Sequence, residues 1–250
     1  MNSSQNWNVT PKEAIEIQKK LREEIRIVPL VKSIGKTVAD LKYIGGADVS
    51  MSLFAKDGFA GFVTLSFSDS KFSNLKMIDH AVVKDEIKFP YIPGLLSFRE
   101  IPMLVKAWEK LTKKPDVLVV DGVGIAHPRR MGIATHLGLV LGIPTIGCSK
   151  NVLYGVYNEP PLEAGSLSYM YDKYNAEEKI GAAIRTKKNV KPVFISPGHL
   201  ITLEESIEII KKCVRLHRLP EPIRMAHNTV NEYRIADEGA DTTQTSTFPL

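Results

Sequence analysis

The spacing of hydrophobic residues changes several times along the chain, and each change predicts a new element of secondary structure. The first apolar residues, from Ala14 to Val28, recur at the spacing of a helix. Thr10 precedes them and can cap the helix, and Glu13 can complete a capping box. Pro29 is expected to end this helix, because proline has no backbone N–H to donate.

Three strand-like runs follow and are joined by short polar links. The runs cover residues 43–49, 59–67 and 75–83. The links contain Asp, Ser and Gly, which are typical of turns. Three strands with such short connections predict an antiparallel meander.

The middle of the chain has a different pattern. Residues 89–94 (FPYIPG) contain two prolines and a glycine and are predicted to form a loop. The pattern then predicts a helix, a buried strand, a loop, a second helix and a second buried strand, at residues 97–113, 116–121, 122–127, 129–141 and 143–148. A strand, a helix and a strand in succession predict a pair of parallel strands.

The last part of the chain is predicted to contain a hairpin, a helix and a tail. The hairpin is expected at residues 179–185 and 191–196, and the helix from residue 202 to about residue 217. After Ile235 the chain becomes polar and acidic, which is typical of a disordered segment.

The order of these elements predicts an α/β protein. Antiparallel strands followed by parallel strands, in a mixed central sheet with helices on both faces, are the order of the ribonuclease H-like fold. We expect a single domain at residues 1–236 and a disordered acidic and polar tail at residues 237–250.

The chain is basic. It has 33 Lys and Arg against 28 Asp and Glu, a net charge of +5. Without Asp237, Glu238 and Asp241 of the predicted tail, 33 basic and 25 acidic residues remain, a charge of +8. A basic body suits a polyanionic partner such as nucleic acid, although charge alone fits a generally basic protein equally well.

Further features bear on the cellular compartment. Cys148 and Cys213 form no CxxC pair, so we expect free buried thiols in a reducing compartment. The sequence has no run of 18 apolar residues, and its first residues lack the basic-then-apolar pattern of a signal peptide. We therefore expect a cytoplasmic protein without a membrane span, acting as a monomer.

Two aspartates lie where predicted strands end. Asp48 ends the first strand and Asp121 ends a buried strand, and carboxylates at such ends face the crevice in which α/β proteins bind ligands. A functional role is favoured for Asp121, whereas a turn-forming role fits Asp48 equally well. Glu100 is ambiguous, because residues 97–100 (SFRE) also form a capping-box sequence in which Glu100 would bond to the backbone of Ser97.

Three carboxylates that converge on one point repel each other unless a divalent cation lies between them. Mg²⁺ suits such a site, because it accepts a few carboxylates together with waters and phosphate oxygens. One or two such ions would activate water for attack and neutralise charge on the leaving oxygen. The sequence has no His and Cys cluster with zinc spacing.

Several segments of the sequence resemble the endonuclease V family, in the same order from about residue 11 to residue 227. They are residues 89–100 (FPYIPGLLSFRE), 121–129 (DGVGIAHPR), 142–147 (GIPTIG) with Lys150, 153–155 (LYG) and 196–199 (SPGH). The resemblance implies a ribonuclease H-like fold and a nuclease that cuts DNA containing deoxyinosine, the product of adenine deamination. It also implies a cut at the second phosphodiester bond 3′ to the lesion, 3′-hydroxyl and 5′-phosphate ends, and a need for Mg²⁺ or Mn²⁺.

The resemblance also assigns roles to single residues. Asp48, Glu100 and Asp121 match the metal-binding carboxylates of the family. Lys150 matches a basic residue near the scissile bond, where it would hold a phosphate oxygen. His227 matches a late active-site histidine, which would orient the attacking water or protonate a leaving oxygen. Without the resemblance, an exposed lysine and a surface histidine are the simpler interpretations.

Recognition of the lesion is expected from the proline-rich loop. In the family this loop acts as a wedge, so Tyr91 would stack where the base has left the helix. Glycines near the site would let the backbone approach the flipped base, although turn geometry explains each glycine as well. The residues expected to bind substrate are Tyr91, Ile92, Pro93, Gly94, Leu95, Gly122, Gly124, His127, Gly132, Leu153 and His199.

One position departs from the family pattern, and two alternative functions stay open. Val123 stands where the family often has Gln or Asn, which bears on base preference more than on catalysis. The first alternative is an endoribonuclease acting on inosine in RNA, for which a contact to the 2′-hydroxyl would be the evidence. The second is a nucleic-acid-binding protein without activity, but such a protein gains nothing by facing phosphates with clustered carboxylates.

Overall fold

The computed structural model describes residues 6–51 and 56–244, with side chains up to residue 238. The helices in these ranges are α1 (Pro11–Leu21), α2 (Leu30–Ser33), α3 (Leu96–Lys110), α4 (Ile133–Leu141), α5 (Leu203–Cys213) and α6 (Glu221–Gln244). The strands are β1 (Tyr43–Ser50), β2 (Asp57–Ser66), β3 (Lys76–Glu86), β4 (Val117–Asp121), β5 (Thr145–Ser149), β6 (Val156–Tyr157), β7 (Leu167–Tyr171), β8 (Lys179–Ile184) and β9 (Val193–His199).

The strands that the structure describes form one mixed sheet, in the order β3-β2-β1-β4-β5-β9-β8-β7-β6. β1, β2 and β3 form the predicted antiparallel meander. β4 pairs in parallel with β1 and with β5. β8 and β9 form the predicted antiparallel hairpin. The predicted ribonuclease H-like arrangement, with antiparallel strands followed by parallel ones, is confirmed.

Helices cover both faces of the sheet, as the sequence predicts. On one face, residues of α5 and α6 pack against the sheet in a cluster that includes Val119 and Ile195. On the other face, α3 and α4 pack against Phe62 and Val120. Because successive residues of a strand point to opposite faces, Asp121 shares the α6 face with Val119.

The last helix approaches the sheet very closely. A Cβ built on Gly46 in β1 would lie 1.9 Å from the carbonyl oxygen of Pro222, in the first turn of α6. Glycine is the residue that permits this approach, since it has no side chain. The approach brings the next turn of α6, which carries His227, to the end of β1.

The first helix is shorter than the sequence predicts. α1 ends at Leu21, and the chain is extended after the 3-10 turn Arg22–Glu24. Arg26 donates its backbone N–H to Nδ1 of His199 at 3.3 Å, and its carbonyl accepts the N–H of Leu200 at 2.7 Å. These bonds to the end of β9 engage the groups that a continuing helix would need, so tertiary contacts end the helix before Pro29.

The second helix of the middle region begins later than predicted. Residues 129–132 belong to the preceding loop, and α4 starts at Ile133. The carbonyl of Val123 accepts the N–H of Ala134 at 3.1 Å. The loop after β4 therefore accepts one of the first N–H groups of α4 as well as the N–H of its N-cap residue Gly132, which fixes the point at which the helix starts.

The C-terminal region differs most from the prediction. α6 continues to Gln244, so residues 237–244 are helical where the sequence predicts a disordered tail, and residues 245–250 lie outside the described residues. The sequence pattern also misses the first part of α6, where Ile223, Ala226 and Val230 form a buried apolar stripe between polar residues. Two strands, β6 and β7, are also absent from the prediction.

Two other expectations concern cysteines and membranes. Cys148 and Cys213 are both buried and free, as predicted. Within residues 6–51 and 56–244, no helix is long and apolar enough to cross a membrane. The first five residues, on which the expectation of no signal peptide partly depends, lie outside the described residues.

Candidate active site

Two carboxylates come together where neighbouring parallel strands end. Ala47 of β1 pairs with Val120 of β4, so Asp48 and Asp121 are neighbours at the same edge of the sheet. Asp48 is 9% exposed. Burial and the negative charge of Asp121 raise the pKa of Asp48 to about 6, against the lowering effect of a hydrogen bond to His227.

Glu100 approaches the same place from α3, on the opposite face of the sheet. Burial raises the pKa of Glu100 to about 8, with further contributions from the charges of Asp48 and Asp121 and an opposing one from Arg99. Glu100 also lines one pocket with Asp121, so it reaches the edge of the sheet at which the two aspartates lie. The structure thus brings the predicted trio together.

The capping-box interpretation of Glu100 is wrong. α3 starts at Leu96 with Leu95 as the N-cap residue, and no described side chain caps this end. Ser97 lies inside the helix, where its hydroxyl is 2.9 Å from Nδ1 of the buried His136. Ser97 is therefore two residues too far into the helix to form a capping box with Glu100.

Two basic side chains contact the aspartates. Nζ of Lys150, just after β5, lies 2.9 Å from Oδ2 of Asp121. Nδ1 of His227, from α6, lies 2.7 Å from Oδ2 of Asp48. Nε2 of the same ring lies 2.9 Å from Nδ2 of Asn231. All the residues predicted to be catalytic therefore lie in one cluster, built from β1, β4, β5, α3 and α6.

The chemistry of this cluster fits a hard divalent cation. Its acidic donors are carboxylate oxygens, the ligands that Mg²⁺ and Mn²⁺ prefer. Among the described residues, no group of three His, Cys, Asp or Glu is already arranged around a single metal position. Mg²⁺ usually takes one or two carboxylates and keeps several waters, so it does not need a complete protein cage. The repulsion that raises the pKa of Asp48 and Glu100 is what a bound cation would relieve.

A pocket of about 360 Å³ opens beside the carboxylates. Glu100 and Asp121 line it, together with Lys150 and Leu153. Tyr91 also lines the pocket, and 68% of its surface is exposed. An aromatic side chain and the acidic cluster therefore share one opening, with a volume in the range of small-molecule sites.

Hydrogen bonds to a single carbonyl fix the loop that carries Tyr91. The carbonyl oxygen of Gly94 accepts Nε2 of Gln18 at 3.0 Å and Nη2 of Arg129 at 2.9 Å. Nε2 of His127 donates to the same oxygen at 3.0 Å. Gly94 has a φ of +81°, which glycine adopts without strain. A loop held in this way loses little conformational freedom when it binds a partner.

Two residues of this loop face the protein interior, contrary to prediction. Leu95 is 2% exposed and packs in a cluster with Ala14 and Phe98. Ile92 packs against the same cluster. Burial of these apolar side chains anchors the loop to α1 and α3, so the structure packs them against the core and not along the pocket. Pro93, by contrast, lines the pocket as predicted.

His127, which is expected either to contact phosphate or to line the site, holds the loop that carries Tyr91. It is 1% exposed, and its Nδ1 accepts the backbone N–H of Arg129 at 3.1 Å. Burial and the charge of Arg129 lower its pKa to about 4, so the ring is neutral at neutral pH. Both nitrogens are engaged within the protein, which leaves the ring of His127 as a wall of the pocket.

His199 lies at the opposite end of the sheet from the acidic cluster. It pairs with Thr145 at the start of β5, whereas Lys150 follows the end of that strand. The separation is about 16 Å at the usual rise of a strand. Burial lowers the pKa of His199 to about 4, and its Nδ1 accepts the N–H of Arg26. The structure therefore does not bring His199 to the acidic cluster, which disagrees with its expected place near the substrate, and its ring bonds to the segment after α1.

The predicted glycines differ in their surroundings. Gly122 and Gly132 line the pocket, as does Val123. Gly124 faces β9, because a Cβ on it would lie 2.1 Å from the carbonyl oxygen of Pro197. Gly124 is thus required for packing of the loop on the sheet rather than for approach to a base.

Comparisons with known proteins agree with this geometry. The family model described as Endonuclease V matches residues 19–228. The endonuclease V of Dictyoglomus turgidum is 48% identical over 215 residues, which cover 86% of this chain and 87% of that protein. This chain belongs to the endonuclease V family. Its relatives are nucleases that act on phosphodiester bonds, so the chain is an endonuclease, and the alternative of an inactive binding protein is wrong.

Solved structures of endonuclease V match the whole fold. The Streptomyces avermitilis protein has a TM-score of 0.79 and 32% identity, covering 94% of this chain and 96% of that one. The Ciona intestinalis protein was solved in complex with a 24mer DNA containing an inosine followed by a ribo-adenosine. It has a TM-score of 0.75 and 27% identity, covering 90% of this chain and 98% of that one.

Some residues of this endonuclease V site carry no sequence signal of their own. Gln18 is fully buried and joins α1 to the carbonyls of Gly94 and Met131, a contact that no local pattern predicts. Asn231 contacts His227 from one helical turn away. The spacing of four residues would have indicated this contact, but only after recognition of α6.

Proposed function

We propose that this chain recognises deoxyinosine in DNA by base flipping and nicks the second phosphodiester bond 3′ to it, leaving 3′-hydroxyl and 5′-phosphate ends. One observation carries the proposal: Glu100 and Asp121 line the same pocket as the exposed Tyr91. An enzyme that extrudes a base and cuts nearby needs a base pocket and a hydrolytic centre side by side. The net charge of +5 also suits a polyanionic substrate.

The acidic cluster would hold the metal ion. Asp48, Glu100 and Asp121 offer oxygen ligands for Mg²⁺, and Mn²⁺ would substitute because it accepts the same ligands. A bound ion would supply a water of lowered pKa and Lewis-acid polarisation of the scissile phosphate. Lys150 has a half-exposed ammonium on a flexible stem, so it can bind a phosphate oxygen of the DNA strand. His227 keeps the Asp48 carboxylate oriented.

Tyr91 would stack in the gap that the extruded base leaves. Inosine pairs weakly, so its extrusion costs less than that of a normal base. The flipped base would then meet the backbone of Gly122 and Gly132 and the side chain of Val123. Since valine offers no hydrogen bond, selection of the base would depend on pocket shape and backbone groups.

A second substrate class is favoured by an observation on a relative. The Ciona intestinalis protein binds DNA in which a ribo-adenosine follows the inosine. Cleavage of inosine-containing RNA is therefore the second candidate activity. It would require a contact from the protein to a 2′-hydroxyl near the lesion.

A nicking assay distinguishes these activities. End-labelled strands with one inosine are compared as a DNA duplex, as a DNA duplex with a ribo-adenosine after the inosine, and as RNA, beside inosine-free DNA. Each is incubated with Mg²⁺ and with EDTA. We expect one Mg²⁺-dependent cut, after the nucleotide that follows deoxyinosine. Absence of such a cut in every substrate refutes the proposal, and a cut in RNA alone replaces it with the second candidate.

A matched pair of variants tests the role of the cluster. Asp121→Asn keeps the size of the side chain and removes its charge, so we expect loss of cleavage with retained DNA binding in a gel-shift assay. Glu177→Gln removes an exposed carboxylate from the turn before β8 and serves as the control. Wild-type cleavage by Asp121→Asn would remove Asp121 from the centre.

A further inference from the structure

Four hydrogen bonds form a continuous series that connects α6 to the end of β1. Nε of Arg234 lies 3.0 Å from Oγ of Ser50, and this Oγ lies 2.6 Å from Oδ1 of Asn231. Nδ2 of Asn231 lies 2.9 Å from Nε2 of His227. Nδ1 of His227 lies 2.7 Å from Oδ2 of Asp48, where the series ends.

The groups at the two ends of this series of hydrogen bonds determine which atom donates in each bond. The guanidinium of Arg234 can only donate, so Oγ of Ser50 accepts from it and has its own hydrogen left for Oδ1 of Asn231. The separation of 2.6 Å suits an O–H···O bond and is short for N–H···O, which supports this orientation of the amide. The amide nitrogen of Asn231 then donates to Nε2 of His227.

The other end of the series requires the same arrangement. An ionised Asp48 carboxylate only accepts hydrogen bonds, so Nδ1 of His227 must carry a hydrogen. With Nε2 accepting from Asn231, the ring is neutral and protonated on Nδ1. In this arrangement each of the four hydrogen bonds joins one donor to one acceptor.

We propose that Asn231 is a positioning residue that holds His227 as the Nδ1–H tautomer. In this state the ring donates to Asp48, and its Nε2 is occupied by the amide. His227 therefore acts on catalysis through Asp48, and it does not exchange a proton with the DNA through Nε2. The catalytic consequence depends on the proposed nuclease function, whereas the tautomer itself does not.

The spacing of residues on β1 and α6 explains how these side chains come together. Asp48 and Ser50 are two positions apart on β1 and therefore point to the same side of the strand. His227, Asn231 and Arg234 follow at intervals of four and three residues on α6, which places them on one face of the helix. Two anchor points join the strand to the helix, so the imidazole ring is fixed against rotation as well as displacement. Partners of this kind fix the tautomer of a histidine and the orientation of the carboxylate that it contacts.

A measurement without DNA or metal tests the tautomer. The full chain, labelled with ¹⁵N, is studied in EDTA at about pH 8, where an ordinary imidazole is neutral. Two-bond ¹H–¹⁵N spectra show which ring nitrogens are protonated, and a His227→Gln variant identifies the signals of this ring. We expect a protonated Nδ1 and an unprotonated Nε2. A protonated Nε2 overturns the proposal, because the amide would then be an acceptor.

Kinetics with two substitutions test the consequence. Asn231→Asp keeps the shape but removes the donor, and Asn231→Ala removes both. We expect kcat to fall by about tenfold or more in both variants, as for other residues that orient a ligand from behind, with KM for DNA unchanged. Glu232→Gln, at the exposed neighbouring position of α6, serves as the control with wild-type kinetics.

The outcomes distinguish failure of this positioning role from failure of the proposed nuclease function. A kcat of Asn231→Asp near that of the wild type overturns the positioning role, since it would show that shape is enough. A rise in KM alone overturns it as well, because Asn231 would then contact DNA. If the wild-type chain fails to cut inosine substrates, the proposed function fails, while the tautomer is still measured by the spectra.

Discussion

Removal of the charge of Glu100 should stabilise the metal-free protein, and increasingly so as the pH rises. The pKa of Glu100 is raised from 4.5 to about 8 by burial and by the charges of Asp48 and Asp121. Below pH 4.5 the carboxyl is protonated in both the folded and the unfolded chain, so it has no effect on the free energy of unfolding. Between these values only the unfolded chain is ionised, and folding becomes less favourable as the pH increases.

The size of the effect follows from the same pKa. A tenfold change in the protonation equilibrium is worth about 1.4 kcal/mol, so a rise from 4.5 to about 8 costs up to about 5 kcal/mol above pH 8. Small domains have a total stability of about 5 to 15 kcal/mol, so this is a large fraction. Glu100→Gln keeps the shape of the side chain and cannot ionise, so it avoids this cost.

Urea unfolding in EDTA at pH 5, 6.5 and 8 measures the effect. We expect the variant Glu100→Gln to gain stability over the wild type as the pH rises, and we expect Mg²⁺ at pH 8 to stabilise the wild type more than the variant. Glu109→Gln, at an exposed position of the same helix, is the control. A difference between Glu100→Gln and the wild type that does not change with pH would show that Glu100 is not a buried carboxyl beside two aspartates.

Three further variants probe the loop that carries Tyr91 and the packing of α6. Tyr91→Ala should reduce discrimination between inosine and normal DNA by about tenfold through lost stacking. Tyr174→Ala, at another exposed tyrosine, is the control and should not change it. Equal discrimination by the two variants would argue against a wedge. Gln18→Ala removes hydrogen bonds to the carbonyls of Gly94 and Met131. We therefore expect the free energy of unfolding to fall by about 1 to 3 kcal/mol and discrimination to weaken. Unchanged values would show that the loop is held without Gln18. Gly46→Ala places a Cβ 1.9 Å from the carbonyl oxygen of Pro222, so α6 must shift, and we expect a lower Tm together with reduced cleavage; a wild-type Tm contradicts the close contact.

The sequence predicts the elements whose patterns are local. The buried strand that ends at Asp121, the meander of β1 to β3 and the hairpin of β8 and β9 each have a distinctive run of apolar residues, and all are confirmed. The acidic edge follows, because parallel neighbours end together and carry Asp48 and Asp121 to one place. Glu100 could not be placed from local sequence, because residues 97–100 (SFRE) are compatible both with a capping box and with an active-site carboxylate.

Errors occurred where distant segments decide the structure. His199 lies in a segment that matches the family, but its ring bonds to Arg26 at the far end of the sheet. His127 has the residue type of a phosphate ligand, yet the approach of Gly94 engages its Nε2. The helix that carries His227 was concealed by its polar composition. Hydrogen bonds between residues that are far apart in the chain have no counterpart in sequence periodicity, and they fix the roles of these side chains.

The same long-range contacts have a consequence for the order in which the protein can mature on the ribosome. Gln18 is held by the carbonyl of Met131, 113 residues later, and Asp48 is held by His227, 179 residues later. A chain emerging from its N-terminus contains Tyr91 and all three carboxylates once residue 121 has been made, long before His227 is made and can contact Asp48. A nascent chain that ends before residue 227 therefore lacks an oriented Asp48. A nuclease built in this way gains an oriented Asp48 only after the helix that carries His227 has been made, so its cutting centre is incomplete while the preceding residues are synthesised beside the RNA that encodes them.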